Sequence, residues 1–475
     1  MTDVTVVGSG PNGLAAAVVA ARAGLDVLLI ERADTIGGGT RTAELTLPGF
    51  LHDVCSAVHP TALASPFFRD FKLAERIEWM IPDASYAHPL DGGAAAIAWR
   101  DLDRTADALG HDGPAWRHLV EPLVDHIEGV VDFTGHQLLR IPRDPLAALR
   151  YGLRALEQGT PLADIRFRGT AAPALFAGIA AHAAGRHPSL ATAGAALLLA
   201  AHGHAGGWPV PVGGSQAIAN ALLGDFVAHG GRVQTGRHVE SLAEVQPSKV
   251  VLLDTAPELL FTAELPGRYA RALRRYRYGS GVAKVDFALD GPVPWANAEI
   301  SLAPTVHLGG TAGEIRHAEN TVARGRVPDN PYVLVTQPSV VDSTRAPEGK
   351  QVLWAYTHVP ADSTLDATEL VTAQVERFAP GFRAVVLASH ATSARAEEEL
   401  NPNYIGGDIY SGAMTLTQLV KRPVVSTTPW RTPIRGVYLC SSATPPGPAV
   451  HGMNGWFAVR LALRDHFGIR LRLGR

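Results

Sequence analysis

An α/β fold is predicted by three features of this 475-residue chain. A short apolar strand, Val4 to Val7, runs straight into Gly8, Gly10 and Gly13 in G-x-G-x-x-G spacing. An Ala/Val-rich helix follows and stops at Gly24, and a second apolar strand, Val27 to Ile30, ends on the acid Glu31. Near the far end, "GVYLCSSATPPGPAVHGMNGWFAVRLAL" (Gly436 to Leu463) again reads as a strand, a loop of small residues and a helix start.

Each part of the first device has a physical task. Gly8 permits a tight turn, Gly10 lets a diphosphate approach the backbone, and Gly13 lets helix and strand pack closely. The helix start offers bare N–H groups and the positive end of its dipole. Glu31 stands 18 residues after Gly13, where a carboxylate grips the ribose hydroxyls of an adenosine and repels a 2′-phosphate. The alternative is a glycine-rich turn in some other βαβ unit. Strand, loop, helix, strand and acid all occurring in order argue for a Rossmann-like dinucleotide unit instead. Ser9 and Pro11 inside the loop, and Arg32 beside the acid, join the candidate cofactor contacts.

Bulk properties narrow the class. The length favours two structural units. A net charge of −3 argues against a nucleic-acid binder, because phosphates would not be neutralised in bulk. Two cysteines, Cys55 and Cys440, build neither a disulfide framework nor a zinc site, which makes a reducing cytoplasm the expected location. The first strand begins at once, leaving no room for a signal peptide. The longest uncharged stretch, His187 to Gly224, is broken by prolines and glycines, and its apolar core "LATAGAALLLAA" has 12 residues. About 20 are needed to cross a bilayer. It reads as a buried helix; a wall of an apolar tunnel, or peripheral membrane contact, is left open. The arginines of the terminal "RLRLGR" could touch anionic lipid or form a solvated tail.

The choice between FAD and NAD turns on "ERADTIGGGTRT", where Gly37, Gly38, Gly39, Arg41 and Thr42 follow the acid. An NAD unit normally enters its next helix there. A glycine triplet followed by arginine suits a chain running beside the diphosphate of FAD towards its flavin, with Arg41 a phosphate or flavin-edge partner.

With these motifs and "FLHDVCSAVHP", "GWPVPVGGSQAIANAL", "GGRVQTGRHVESL", "VVLLDTAP" and "NPNYIGGDIYSGAMTLTQLVKRP", the sequence resembles the phytoene-desaturase-like FAD oxidoreductases, within the flavin amine oxidase superfamily. Within that family it is most similar to the branch named for pyridine nucleotide-disulfide oxidoreductase domain-containing protein 2. The resemblance implies a discontinuous FAD-binding domain of GR2 type from residues 1–75, 210–262 and 425–475. An inserted α+β substrate domain would comprise 76–209 and 263–424. It also implies Gly8, Gly10 and Gly13 at the diphosphate, Glu31 at the ribose and Val239 at the adenine. The closing stretch becomes a second cradle, with Gly452 and Met453 starting a helix aimed at the flavin ring, where charge builds on reduction.

The expected activity is an FAD-dependent dehydrogenase, desaturase or oxidase taking hydride from a largely apolar, isoprenoid-like small molecule. No second strand-borne G-x-G-x-x-G is present, so oxygen, a quinone or another diffusible acceptor receives the electrons. An amine oxidase and a non-catalytic FAD-binding regulator or chaperone are the alternatives. His451 and His59 are the candidate catalytic residues, each a base or a substrate hydrogen-bonder; the bland reading has them satisfy carbonyls. Lys284 reads as a strand-surface lysine paired with Asp286, or as the lysine that holds water in amine oxidases. Tyr404 and Trp456 read as core or as pocket wall, Cys55 as packing or a flavin link, and "AEEEL" (Ala396 to Leu400) as a solvated helix face. The histidines of "HGH" (His202 to His204) lack a carboxylate or cysteine to complete a metal site.

Overall fold

The computed structural model describes residues 2–245 and 247–474, which leaves Arg475 of the terminal "RLRLGR" outside the described residues. Its first sheet has five parallel strands in the order Val437–Leu439, Val250–Leu253, Val4–Val7, Val27–Ile30 and Arg232–Gln234. The three inner strands are apolar along nearly their whole length because both faces are covered, as parallel sheets require. Register does the rest. Val7 stands opposite Ile30 and Leu253, and Leu253 opposite Leu439. The next residues, Gly8, Glu31, Asp254 and Cys440, therefore emerge side by side at the carboxyl edge, the ligand-binding edge of such sheets.

The helix Pro11–Arg22 packs against both Gln216–Ala228 and the last helix, Met453–Phe467. Its small residues allow close approach. A Cβ on Gly455 would lie 2.0 Å from the Asn12 carbonyl, and one on Gly13 would lie 2.1 Å from the Gly8 carbonyl.

The second sheet has seven strands, ordered Val386–Thr392, Gly281–Leu289, Gln351–Val359, Val333–Thr336, Thr305–Leu308, Ala84–Pro89 and Ala95–Trp99. All neighbours are antiparallel except Thr305–Leu308 beside Ala84–Pro89. One face is apolar: Val285, Phe287, Leu353, Ala355, Val335 and Val306 pack with Val371, Val375 and Phe378 of the Thr368–Phe378 helix. Antiparallel sheets commonly leave the other face to water. Here that face carries Lys284, Asp286, Trp354, Tyr356, His358, Thr336 and His307, and every one of them is buried.

Two expectations fail at this point. Lys284 is buried rather than a strand-surface residue; its ammonium is bonded to the Asp286 carboxylate and lies 5.5 Å from the Trp354 ring. Glu397 is not on a solvated face either, since its helix Ala394–Leu400 is folded against the sheet and burial pushes its carboxyl up to about 7.

A helical layer, including Gly113–Val124, Pro145–Gln158, Ala171–Ala180 and Leu190–Ala205, covers the edge formed by residues 84–99. The Ala/Leu stretch lies in the last of these and is largely buried. Among the described residues, no helix is long and apolar enough to cross a membrane.

The contact at Gly455 yields a prediction. Gly455→Val drives a branched side chain into the Asn12 backbone, and overpacking of this kind costs about 1–3 kcal/mol. Thermal unfolding should shift down and the purified protein should retain less flavin. An unchanged midpoint with full flavin content would show that the two helices separate freely.

Candidate functional site

The carboxyl edge of the parallel sheet opens into a cavity of about 1220 Å³. Single small-molecule sites occupy roughly 300–1,000 Å³, so this cavity is larger than a typical one. One end is the glycine loop. Gly8 has φ of +94°, Gly10 ends the loop, and Pro11 begins the helix without any side-chain cap on its first turn. Gly8, Ser9, Gly10 and Pro11 line the cavity; Gly13 is buried behind them.

Beneath the loop lies Asp254, which sequence reasoning passed over. Its carboxylate accepts from the Gly13 N–H at 2.8 Å. Burial pushes it up to about 7, with the Glu31 charge adding to the rise and the Gly13 and Gly10 amides opposing it. A Cβ on Gly10 would lie 2.6 Å from that carboxylate. Gly10 is therefore required from below as well as from the ligand side. The signal was the acid directly after the strand in "VVLLDTAP", at the position that register sets beside Gly8.

Glu31 ties the loop together, accepting from the Ser9 N–H at 2.9 Å and the Ala33 N–H at 2.8 Å. Arg32 and Val239 continue the wall from there, Val239 from an irregular segment after the Arg232–Gln234 strand. Gly38, Gly39 and Arg41 follow, and Arg41 Nε donates to the Gly38 carbonyl at 2.9 Å. Thr42 does not reach the cavity wall; its hydroxyl donates to Asp53, which also holds the buried Arg345. Tyr404 and Cys55 both line the cavity, 3.5 Å apart between hydroxyl and sulfur. Burial raises the Cys55 thiol to about 11, so it stays protonated.

The closing stretch supplies Ser441, Ser442, Pro448, Ala449 and Val450 to the wall. Ala449 has φ of +129°, a backbone state that a side chain rarely adopts and that marks strained functional loops. The wall ends at Val450. Gly452 abuts the Phe67 ring, Met453 is in the core, and Trp456 is core too.

The two candidate histidines part company. His59 lines the cavity with Nε2 2.8 Å from the Ser215 hydroxyl and Nδ1 3.4 Å from the Ser56 hydroxyl. His451 does not reach the wall: its Nδ1 accepts from the Met453 N–H at 3.1 Å, capping the last helix. Burial lowers both to about 4, so both are neutral near pH 7.

The far end of the cavity is the buried polar face of the seven-stranded sheet. Thr305, Leu334, Thr336, Trp354 and Tyr356 form its ceiling, joined by Ile409 and Tyr410 and faced by Leu199, Trp208 and His182. A chain of groups leads away from it. The Tyr356 and Tyr410 hydroxyls are 3.3 Å apart, Tyr410 lies 3.5 Å from His358 Nε2, and His358 Nδ1 is 2.9 Å from the Glu319 carboxylate. Burial raises both phenols, which stay protonated. Sequence reasoning missed this set, although Trp354, Tyr356 and His358 alternate along one strand.

Comparison with known proteins bears on this geometry. Residues 3–76 match the FAD dependent oxidoreductase family, so the matched segment spans the glycine loop, Glu31 and the glycine triplet. The rat protein named pyridine nucleotide-disulfide oxidoreductase domain-containing protein 2 is 26% identical over 98% of this chain and 93% of its own. A solved putrescine oxidase variant covers 98% of both chains at TM-score 0.61 and 17% identity. Cyclohexylamine oxidase from Brevibacterium oxydans covers 98% of both at 0.58 and 15%. The two structures establish likeness of fold. The uncapped helix start, the glycine loop and the size of the cavity fit FAD, and the chain is an FAD-dependent oxidoreductase.

Asp254 is expected to make retention of the cofactor pH-dependent. Its folded pKa of about 7 lies above the ordinary 3.8, so the folded state holds an extra proton between those values and loses stability as pH rises through them. Ionised, it sets negative charge directly beneath the glycine loop. FAD affinity, read by flavin fluorescence, is expected to weaken from pH 6 to pH 8. Asp254→Asn should bind FAD at least as tightly as the parent at pH 8 and flatten the profile; an unaltered slope would remove Asp254 as its source.

Proposed function

We propose that this chain oxidises a largely apolar small molecule held under the sheet ceiling, passing the electrons through FAD to oxygen, a quinone or another diffusible acceptor. The observation that carries this reading is one continuous cavity that joins the glycine loop to a buried chamber walled in part by Leu199, Trp208, Leu334 and Trp354. The cofactor unit is assembled from 1–75, 210–262 and 425–475, and 76–209 with 263–424 forms the substrate unit. Gly8, Ser9, Gly10 and Pro11 would hold the diphosphate, with Gly13 closing the loop behind them. Glu31 and Arg32 would hold the ribose and Val239 the adenine. Gly38, Gly39 and Arg41 would flank the path to the flavin, with Thr42, Gly452 and Met453 supporting from behind the wall.

When bound, FAD supplies a hydride acceptor at flavin N5. The chain itself does four things. Leu199, Trp208, Leu334 and Trp354 exclude water and orient an apolar body. The Tyr410 hydroxyl exchanges a proton with His358 Nε2 when substrate oxidation releases one. Glu319 holds Nδ1 and stabilises the imidazolium that results. His59, bonded through both nitrogens, would position the wall segment around it for the flavin, and His451 positions the last helix.

Amine oxidation is a second reading, favoured by the aromatic walls Trp208, Trp354, Tyr356 and Tyr410, which suit an alkylammonium or amine. Two structural neighbours are a putrescine oxidase and a cyclohexylamine oxidase. Anaerobic mixing of the yellow protein with isoprenoid hydrocarbons, apolar alcohols, amines and NAD(P)H separates the readings. Bleaching by apolar alcohols or hydrocarbons is expected. Bleaching by amines alone, with peroxide formed in air, would select the second reading, and bleaching by NAD(P)H alone would contradict both. With the substrate so identified, Tyr410→Phe should slow flavin reduction by about 10²-fold, the usual scale for a lost proton-transfer group, and alter its pH profile. An unchanged rate would remove the relay from the mechanism.

A further inference from the structure

The Pro145–Gln158 helix is built inside out. Its buried residues are Ala147, Tyr151, Ala155 and Gln158, packed towards the Leu190–Ala205 helix, where the Tyr151 hydroxyl donates to the Gly194 carbonyl. Its leucines face the other way. Leu146, Leu149, Leu153 and Leu156, spaced i, i+3, i+7 and i+10, are each at least half exposed and form one stripe. In the segments that flank the helix in sequence, Ile141 is 87% and Ile165 80% exposed. Of the eighteen large apolar residues exposed among the described residues, eight lie between 139 and 165. An exposed apolar stripe of this kind marks a contact site.

Charge identifies what covers it. Residues 139–168 contain six arginines and three acids, a net +3 in a chain whose total is −3. Arg140 and Arg143 share Asp132, Arg154 is bonded to main-chain carbonyls, and Arg166 pairs with Glu157. Arg150, one helical turn from Leu146, and the exposed Arg168 have no acidic partner among the described residues. A second copy docked by the same face would set one positive patch against another, which disfavours self-association. Leucines in a stripe bordered by arginines are the pattern of a helix lying in the interface of an anionic bilayer. At 14 residues the helix is too short to span one.

We infer that this face is a docking surface for an anionic lipid bilayer, with the Pro145–Gln158 helix lying in the plane of the headgroups. This places the contact elsewhere than the uncharged Ala/Leu stretch or the C-terminal arginines. The helix beneath, Leu190–Ala205, also supplies Leu199 to the cavity wall, so the bilayer surface lies one helix away from the chamber. Delivery of an apolar substrate from the bilayer would rest on the reading above; docking itself does not.

The test is flotation of the full-length, FAD-loaded protein with vesicles of phosphatidylcholine alone or containing a quarter phosphatidylglycerol. Flotation with the anionic vesicles is expected, weakened by high salt. Leu149→Gln/Leu153→Gln should reduce the floated fraction at least fivefold, and Arg150→Gln/Arg168→Gln should reduce it on anionic vesicles. Flavin content and the unfolding midpoint should stay at parental values in both, which separates lost docking from lost fold. No flotation, or equal flotation of the parent and the leucine variant, would overturn the proposal. So would sedimentation showing a parental dimer that the leucine substitutions dissolve without any vesicle binding, since the stripe would then be a copy-to-copy contact.

Discussion

The cofactor site depends on one crowded point where three backbone segments meet with no room for side chains. Gly8 and Gly13 press on each other and on Asp254, and Asn12 presses on Gly455. That contact brings the first strand, the strand before Asp254 and the last helix into one unit although they are hundreds of residues apart in sequence. It explains why a second strand, small-residue loop and helix start occurs at residues 436–463. Its glycine serves packing at Gly455, while its loop, from Ser441 to Val450, serves the cavity wall. The two ends of the sequence complete one site.

A second constraint shapes the other half. Away from its exposed edge strand Val386–Thr392, the seven-stranded sheet is buried on both faces, and several of its polar residues pair with one another or border the cavity. His358 finds Glu319, Lys284 finds Asp286, and Trp354 and Tyr356 form the chamber ceiling. Unpaired, such groups would cost far more than they contribute. The same pairing that makes the face tolerable produces the Tyr410–His358–Glu319 chain, so the stability of the sheet and its chemistry share residues.

Local pattern made the nucleotide half readable. The strand, glycine loop, helix, strand and acid are contiguous, and each residue type has one physical reason to be there. Asp254 was harder, because only the register of the Val250–Leu253 strand against Val4–Val7 puts its carboxylate under Gly13. The chamber was harder still. Trp354, Tyr356 and His358 alternate as a solvated strand face would, and nothing local says that a helical layer and a second sheet enclose them. His451 misleads for a similar reason: it sits beside the cavity in sequence, but its ring turns back to cap the last helix. Glu397 and Lys284 look like surface charges until the elements that bury them are in place.

The central claim is that the edge of the parallel sheet holds one FAD, with its phosphates on the glycine loop and its flavin towards the chamber. The most direct measurement is the flavin stoichiometry of the purified chain after saturation with FAD and removal of the excess, read by absorbance and by the identity of the flavin released on denaturation. One FAD per chain is expected, released intact on denaturation. A chain that takes up no flavin when FAD is supplied would contradict it.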